Sequence, residues 1–160
     1  MKRASLVILM VLLLPVASLL AQSRAESPND FTIELGGKCL LYSMSYQRMI
    51  GEMIGLEVGA SYFGGASEGT DAGIFFLSGG ARFYLTKKNA SPCLAAGIVY
   101  VSAGTDAGPF GSDSESGVYF YASPGFEYRM SGGFLFRGSV NFLIKNGFFV
   151  WPGLTLGIAF

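Results

Sequence analysis

The chain has 160 residues, of which 51% are hydrophobic and 14% charged, with 23 glycines, no histidine and a formal net charge of zero. That length suits one domain, and the low charge lies well under the roughly 25% of soluble domains, which argues against an ordinary water-soluble fold. Past the N-terminus no apolar run reaches the roughly 18–20 residues of a spanning helix, so a closed β-barrel is left as the other structure that satisfies every backbone group in lipid.

The N-terminus reads as a secretory leader. Lys2 and Arg3 supply the positive start, Leu6 to Leu14 the apolar middle, and Ser23-Arg24-Ala25 fits the small-x-small cleavage pattern. Cleavage after Ala21 is a less regular alternative, because Leu19 then takes a position that prefers a small side chain. The expected division is residues 1–25 as signal peptide and 26–160 as an outer membrane barrel domain. No cysteine stands at the cleavage region, which argues against a lipoprotein. Such a mature chain carries 8 Lys and Arg against 11 Asp and Glu, a net charge of −3, too mild to attract nucleic acid.

A short first strand runs from Phe31, with Phe31, Ile33 and Leu35 on one face and Thr32 and Glu34 on the other. From Leu40 the apolar set becomes Leu40, Tyr42, Met44 and Tyr46, with Ser43, Ser45 and Gln47 opposite. The phase slips by one residue at Gly37-Lys38-Cys39. A one-residue slip exchanges the two faces, so this segment is either a tight turn or a bulge. A turn gives eight strands and a bulge seven. Single-chain bacterial barrels have even strand numbers, which selects the turn.

The later strands alternate more plainly. Ile54, Leu56, Val58, Ala60 and Tyr62 oppose Gly55, Glu57, Gly59 and Ser61. Phe75, Leu77, Ala81 and Phe83 oppose Ser78, Gly80, Arg82 and Tyr84. Pro92 to Ser102 is apolar on both faces. Val118, Phe120, Ala122, Pro124 and Phe126 oppose Tyr119, Tyr121, Ser123, Gly125 and Glu127, and Phe134, Phe136, Val140 and Phe142 oppose Arg137, Ser139 and Asn141. The chain ends with Pro152, Leu154, Leu156, Ile158 and Phe160 on one face and small or polar residues on the other, as suits the closing strand of a barrel in lipid. Phe160, Ile158 and Leu156 are the expected signal to the barrel-assembly machinery.

The outer connections are expected at Gly36–Cys39, Gly64–Ala72, Ala103–Ser116 and Lys145–Gly147, and the inner ones at Ile50–Glu52, Thr86–Ser91 and Met130–Gly133. The two long loops then fall on one side, as outer membrane barrels require. The expected fold is an all-β, eight-stranded antiparallel up-and-down transmembrane barrel, with an interior narrow enough for side chains to fill. No further domain is expected after Phe160.

Glu34, Glu57, Arg82, Glu127 and Arg137 are expected to line the lumen, with Arg129 near its rim. They read as a selectivity lining or as ion pairs plugging a narrow interior. The second is preferred, because an unpaired charge in so small a space is costly. In the long loops Glu68, Asp71, Asp106, Asp113 and Glu115 are candidates for surface contacts, although no spacing matches a calcium loop. Without histidine a serine lacks its usual general base and imidazole metal sites are excluded, so neither catalysis nor a metal or other cofactor is expected. Cys39 and Cys93 fall at opposite ends of their strands, too far apart for a disulfide, and are expected to be free. Aromatic residues near the strand ends, from Tyr62 and Phe63 to Phe148, Phe149 and Trp151, form the expected interface girdles.

Glu34-Leu35-Gly36-Gly37, Tyr42-Ser43-Met44-Ser45-Tyr46, Gly132-Gly133-Phe134-Leu135-Phe136-Arg137 and Trp151-Pro152-Gly153-Leu154-Thr155-Leu156-Gly157 resemble the small outer membrane β-barrel proteins of Bacteroidetes-type bacteria. More loosely, the chain is similar to eight-stranded barrels of the OmpA and OmpX kind. The resemblance spans Glu34 to Phe160 and implies fold and location, with no functional residues carried across. The expected role is structural, or a surface interaction through the loops with an extracellular ligand. A narrow channel lined by Glu and Arg is the alternative, and a barrel enzyme is the least favoured. Outer membrane lipid is an expected partner and nucleic acid is not.

Overall fold

The computed structural model describes residues 24, 26–67, 70–104 and 115–160. Alternating faces make strands here because each inward residue meets a crowded lumen and each outward one meets a greasy surround. The strands are β1 (Asn29–Gly36), β2 (Tyr42–Ile50), β3 (Ile54–Ser67), β4 (Thr70–Tyr84), β5 (Ala90–Gly104), β6 (Glu115–Arg129), β7 (Phe134–Ile144) and β8 (Phe148–Ala159). They pair antiparallel in sequence order, and β1 pairs with β8 from Asp30 opposite Ala159 to Gly36 opposite Gly153. Closure removes every sheet edge. The result is an eight-stranded, all-antiparallel up-and-down β-barrel, as the period-two pattern predicts.

The pleat is inside-out relative to a water-soluble barrel. Phe31, Ile33 and Leu35 of β1 are exposed while Thr32 and Glu34 between them are buried, and the other strands repeat that rhythm. Phe120 and Phe134 each leave 60% of their surface open on the outer wall. An apolar belt of that kind matches hydrocarbon, and the closed ladder pairs the strands all the way round. No described helix is long and apolar enough to cross a membrane.

Three expectations about connections change. The phase slip at Gly37–Cys39 is a turn, a short 3-10 segment, but it folds into the lumen and buries Gly37, Lys38 and Cys39. Gly36 and Gly37 both adopt positive φ (70° and 73°), the region where glycine pays no steric cost, and this bends the turn inward. Second, most of Gly64–Ala72 is strand. β3 and β4 keep pairing up to Ser67 opposite Thr70, since no proline interrupts the ladder. Third, β5 and β6 pair out to Ala103 opposite Glu115, which shortens the Ala103–Ser116 connection.

β5 alternates weakly in sequence because its inward face is apolar as well. Ala95 and Val99 pack with Cys39, Phe76, Tyr121 and Leu143 in a small apolar cluster inside the barrel. Cys93 belongs to a second cluster with Met49 and Tyr84. The two thiols are unpaired and buried.

Candidate functional site

Among the described residues the lumen is where charged side chains gather, and β1, β2, β3, β4, β6 and β7 each deliver a charged or polar side chain to it. Around Glu127 the acceptors are fully subscribed. Its Oε2 accepts from Arg137 Nη2 (2.6 Å) and Nε (3.0 Å) and from the Tyr84 hydroxyl (2.7 Å), while Oε1 accepts from Arg129 Nε (2.8 Å). Arg129 also reaches Asp30 with Nη2 at 2.5 Å. Gln47 donates to Asp30 (2.9 Å) and accepts from Arg82 Nε (3.1 Å), which ties β1, β2 and β4 together.

A second group of charges sits nearer the end away from the termini. Glu57 pairs with Arg82 Nη2 at 3.0 Å and with Lys38 Nζ at 2.7 Å, and Lys38 also holds Glu34 at 2.9 Å. Arg137 Nη1 lies 3.7 Å from Glu57 and so bridges the two groups. Above this layer the Tyr119 hydroxyl donates to the Lys38 carbonyl (2.5 Å) and locks the inward turn. Trp151 Nε1 donates to the Leu40 carbonyl (2.7 Å) and holds the same turn from β8.

All five residues proposed to line the lumen, Glu34, Glu57, Arg82, Glu127 and Arg137, are buried inside the barrel. Arg129, the last residue of β6, is buried with them and meets the Ser27 carbonyl ahead of β1. Five participants escaped the sequence reading. Asp30 continues the inward phase of Thr32 and Glu34 by one more step, so the period itself could have found it. Gln47 and Tyr84 sat on inward faces without being singled out. Lys38 lies in a turn, where the strand period gives no face. Arg24, fully buried at the terminal end of the lumen, lay in the segment assigned to the leader.

Of the loop candidates, Asp71 lies in β4 opposite Ala66, and Glu115 is exposed at the start of β6. Glu68, Asp106 and Asp113 lie outside the described residues. Among the described residues no group of acidic, cysteine or histidine side chains could hold a metal ion. Outside the strands, Lys87 pairs in the open with Glu52 at 2.5 Å, and the hydrogen bond to that carboxylate raises the Lys87 pKa. Such exposed pairs add little stability.

Chemically, the lumen neutralises charge. Each buried carboxylate faces at least one cation, and the serines there do not stand against a free base. An apolar outer wall around a charged, side-chain-filled interior defines the class: an eight-stranded β-barrel with the fold of outer membrane barrels. Among solved structures, the N-terminal β-barrel domain of Pseudomonas aeruginosa OprF is similar at a TM-score of 0.58 with 14% identity, over 87% of this chain and 100% of that one. The Yersinia pestis outer membrane protein Ail in a phospholipid bilayer nanodisc is similar at 0.52 with 13% identity, over 84% of this chain and 100% of that one. Neither a protein-family model nor a curated protein matches the sequence. At such identities the likeness is one of fold.

Proposed function

We propose that this chain is a small, non-enzymatic outer membrane barrel whose role is structural or a surface interaction through the connections at the end away from its termini. The observation that carries this reading is the charge-paired lumen. Glu127 and Glu57 sit among arginines of β4, β6 and β7 with side chains almost wholly excluded from solvent. A pore needs mobile water and accessible charges, whereas these are consumed by one another. What remains to meet a partner is the outward belt and the connections that follow Ser67 and Gly104. Outer membrane lipid would cover the belt. The barrel-assembly machinery would insert the chain, reading the outward Leu156, Ile158 and Phe160. Any further ligand would be extracellular and meet the loops. The resemblance of the Gly132–Arg137 and Trp151–Gly157 segments supports placing it beside the Bacteroidetes-type barrels.

The test joins membrane fractionation with heat modifiability. Unboiled protein that migrates faster on a detergent gel, in the outer membrane fraction, supports the reading; a soluble periplasmic protein without that shift overturns it. Removing residues 105–114 should leave insertion intact and abolish any surface binding. Planar-bilayer recording separates the channel alternative. Steady current steps that change in Arg82→Ala or Arg137→Ala would mean an open lumen.

A further inference from the structure

Ahead of β1 the chain turns into the mouth of the barrel at the end where β1 begins and β8 finishes. Arg24 is completely buried there. Its Nη1 donates to the Lys88 carbonyl at 2.7 Å and to the Thr86 carbonyl at 3.1 Å. Its Nη2 faces Glu127 Oε1 at 3.4 Å, and the guanidinium carbon lies 4.0 Å from the centre of the Tyr84 ring. The following residues are fastened too: the Ser27 carbonyl accepts from Arg129 Nη1 (3.3 Å) and the Pro28 carbonyl from the Met49 amide (2.7 Å).

We propose that the leader is removed after Ala21, so that the mature chain begins at Gln22 and keeps Arg24 as a stopper in this mouth. The proposal rests on reading the N-terminus as an exported leader. Cleavage after Ala25 would discard Arg24, and a residue lost with the leader has no reason to fit the folded barrel. Yet the fit is specific. A guanidinium fork can reach two carbonyls of the β4–β5 turn while its face lies on an aromatic ring, which a lysine cannot do. Glu127 Oε1 takes a short bond from Arg129 (2.8 Å) and a longer one from Arg24 (3.4 Å), so Arg24 adds to the pairing of that carboxylate without carrying it. Its work is to cover the turn carbonyls and the Tyr84 face, groups that would otherwise open onto water at the mouth. Ala21 still supplies the small residue immediately before the cut, even though Leu19 departs from the usual pattern.

The experiment is the intact mass of the protein purified from the membrane, read together with a gel-shift melting series of the wild type and Arg24→Ala. The expected mass is that of a chain starting at Gln22, or its cyclised pyroglutamyl form. Any other start, Glu26 above all, overturns the proposal, and an uncut chain from Met1 overturns the leader reading as well. With the start at Gln22 in both proteins, Arg24→Ala should lose its folded band at a lower temperature than wild type, and Arg24→Lys should recover only part of the difference. Equal melting of Arg24→Ala and wild type would overturn the stopper.

Discussion

Replacing Glu127 by glutamine removes one negative charge and reverses one end of a hydrogen-bonding group, with almost no change in shape. In the native lumen every neighbour of that carboxylate is a donor: Arg137 through two nitrogens, Arg129 through Nε, and Tyr84 through its hydroxyl. An amide can accept at one end only. Placed toward Arg137, its NH2 meets three donor contacts; placed toward Arg129, it still opposes a guanidinium. The two arginines are then left with Asp30 and Glu57 as their remaining acids, and both have other partners. Breaking a buried pair by removing one member costs about 3–5 kcal/mol. That corresponds to roughly a hundred- to several-thousand-fold in the folded-to-unfolded ratio. Guanidinium titration in phospholipid vesicles can measure it through Trp151, the single tryptophan, which stacks on Phe149 at 5.5 Å and lies far from the substitution. The double variant Glu127→Gln with Arg137→Met should be less destabilised than the sum of the two single variants, because each single change strands the other's charge. If Glu127→Gln unfolds within about 1 kcal/mol of wild type at equal slope, the lumen is wet enough to screen its charges, and the plugged interior fails with it.

Lys38→Met should cost about 3 kcal/mol, chiefly through Glu34, which keeps only the Ser43 hydroxyl at 3.5 Å, whereas Glu57 keeps Arg82. Adding Glu34→Gln should restore more than half of that loss in the same titration. Gly80→Val should cost about 1–3 kcal/mol by overpacking, since a Cβ there would lie 2.4 Å from the Tyr121 hydroxyl and 2.5 Å from the Ala96 carbonyl. Gly79→Val, where a Cβ meets nothing within 4 Å, should show the wild-type heat shift. Cys39 and Cys93 should resist a maleimide in the folded barrel and react after unfolding, read by mass; ready labelling of the folded protein would contradict their burial.

The apolar outer wall was easy to read. Hydrocarbon accepts only apolar side chains, so Ile54, Leu56 and Val58 had to alternate with Gly55 and Glu57, and the register of the inward charges came with them. The lumen imposes a weaker rule, because it accepts any side chain that can be paired or packed. β5 therefore carries Ala95 and Val99 inward, and its alternation fades. Lys38 was hidden for another reason. Its direction is set by two consecutive positive-φ glycines and by the acids waiting inside, and neither belongs to a strand period. The one sequence clue was arithmetic, since three predicted lumen acids faced two arginines with a third at the rim. The ends of β3 and β4 look like a loop in sequence because they are rich in glycine, yet in a zipped hairpin the backbone ladder continues through Gly64 and Gly65.

The two charge groups also limit where such a protein can change. Arg137 touches both, at 2.6 Å to Glu127 and 3.7 Å to Glu57, so a substitution in either group is felt in the other. Those residues come from β3, β6 and β7, and Asp30, Lys38 and Gln47 extend the same linkage to β1 and β2. A lumen wired across most of its strands can acquire a ligand only by giving up several buried pairs at once, each worth about 3–5 kcal/mol when broken one-sidedly. Among the described residues no lumen ion pair draws on the ends of the β3–β4 and β5–β6 hairpins. Specificity in this barrel is therefore cheapest to build beyond Ser67 and Gly104, on the side away from the termini.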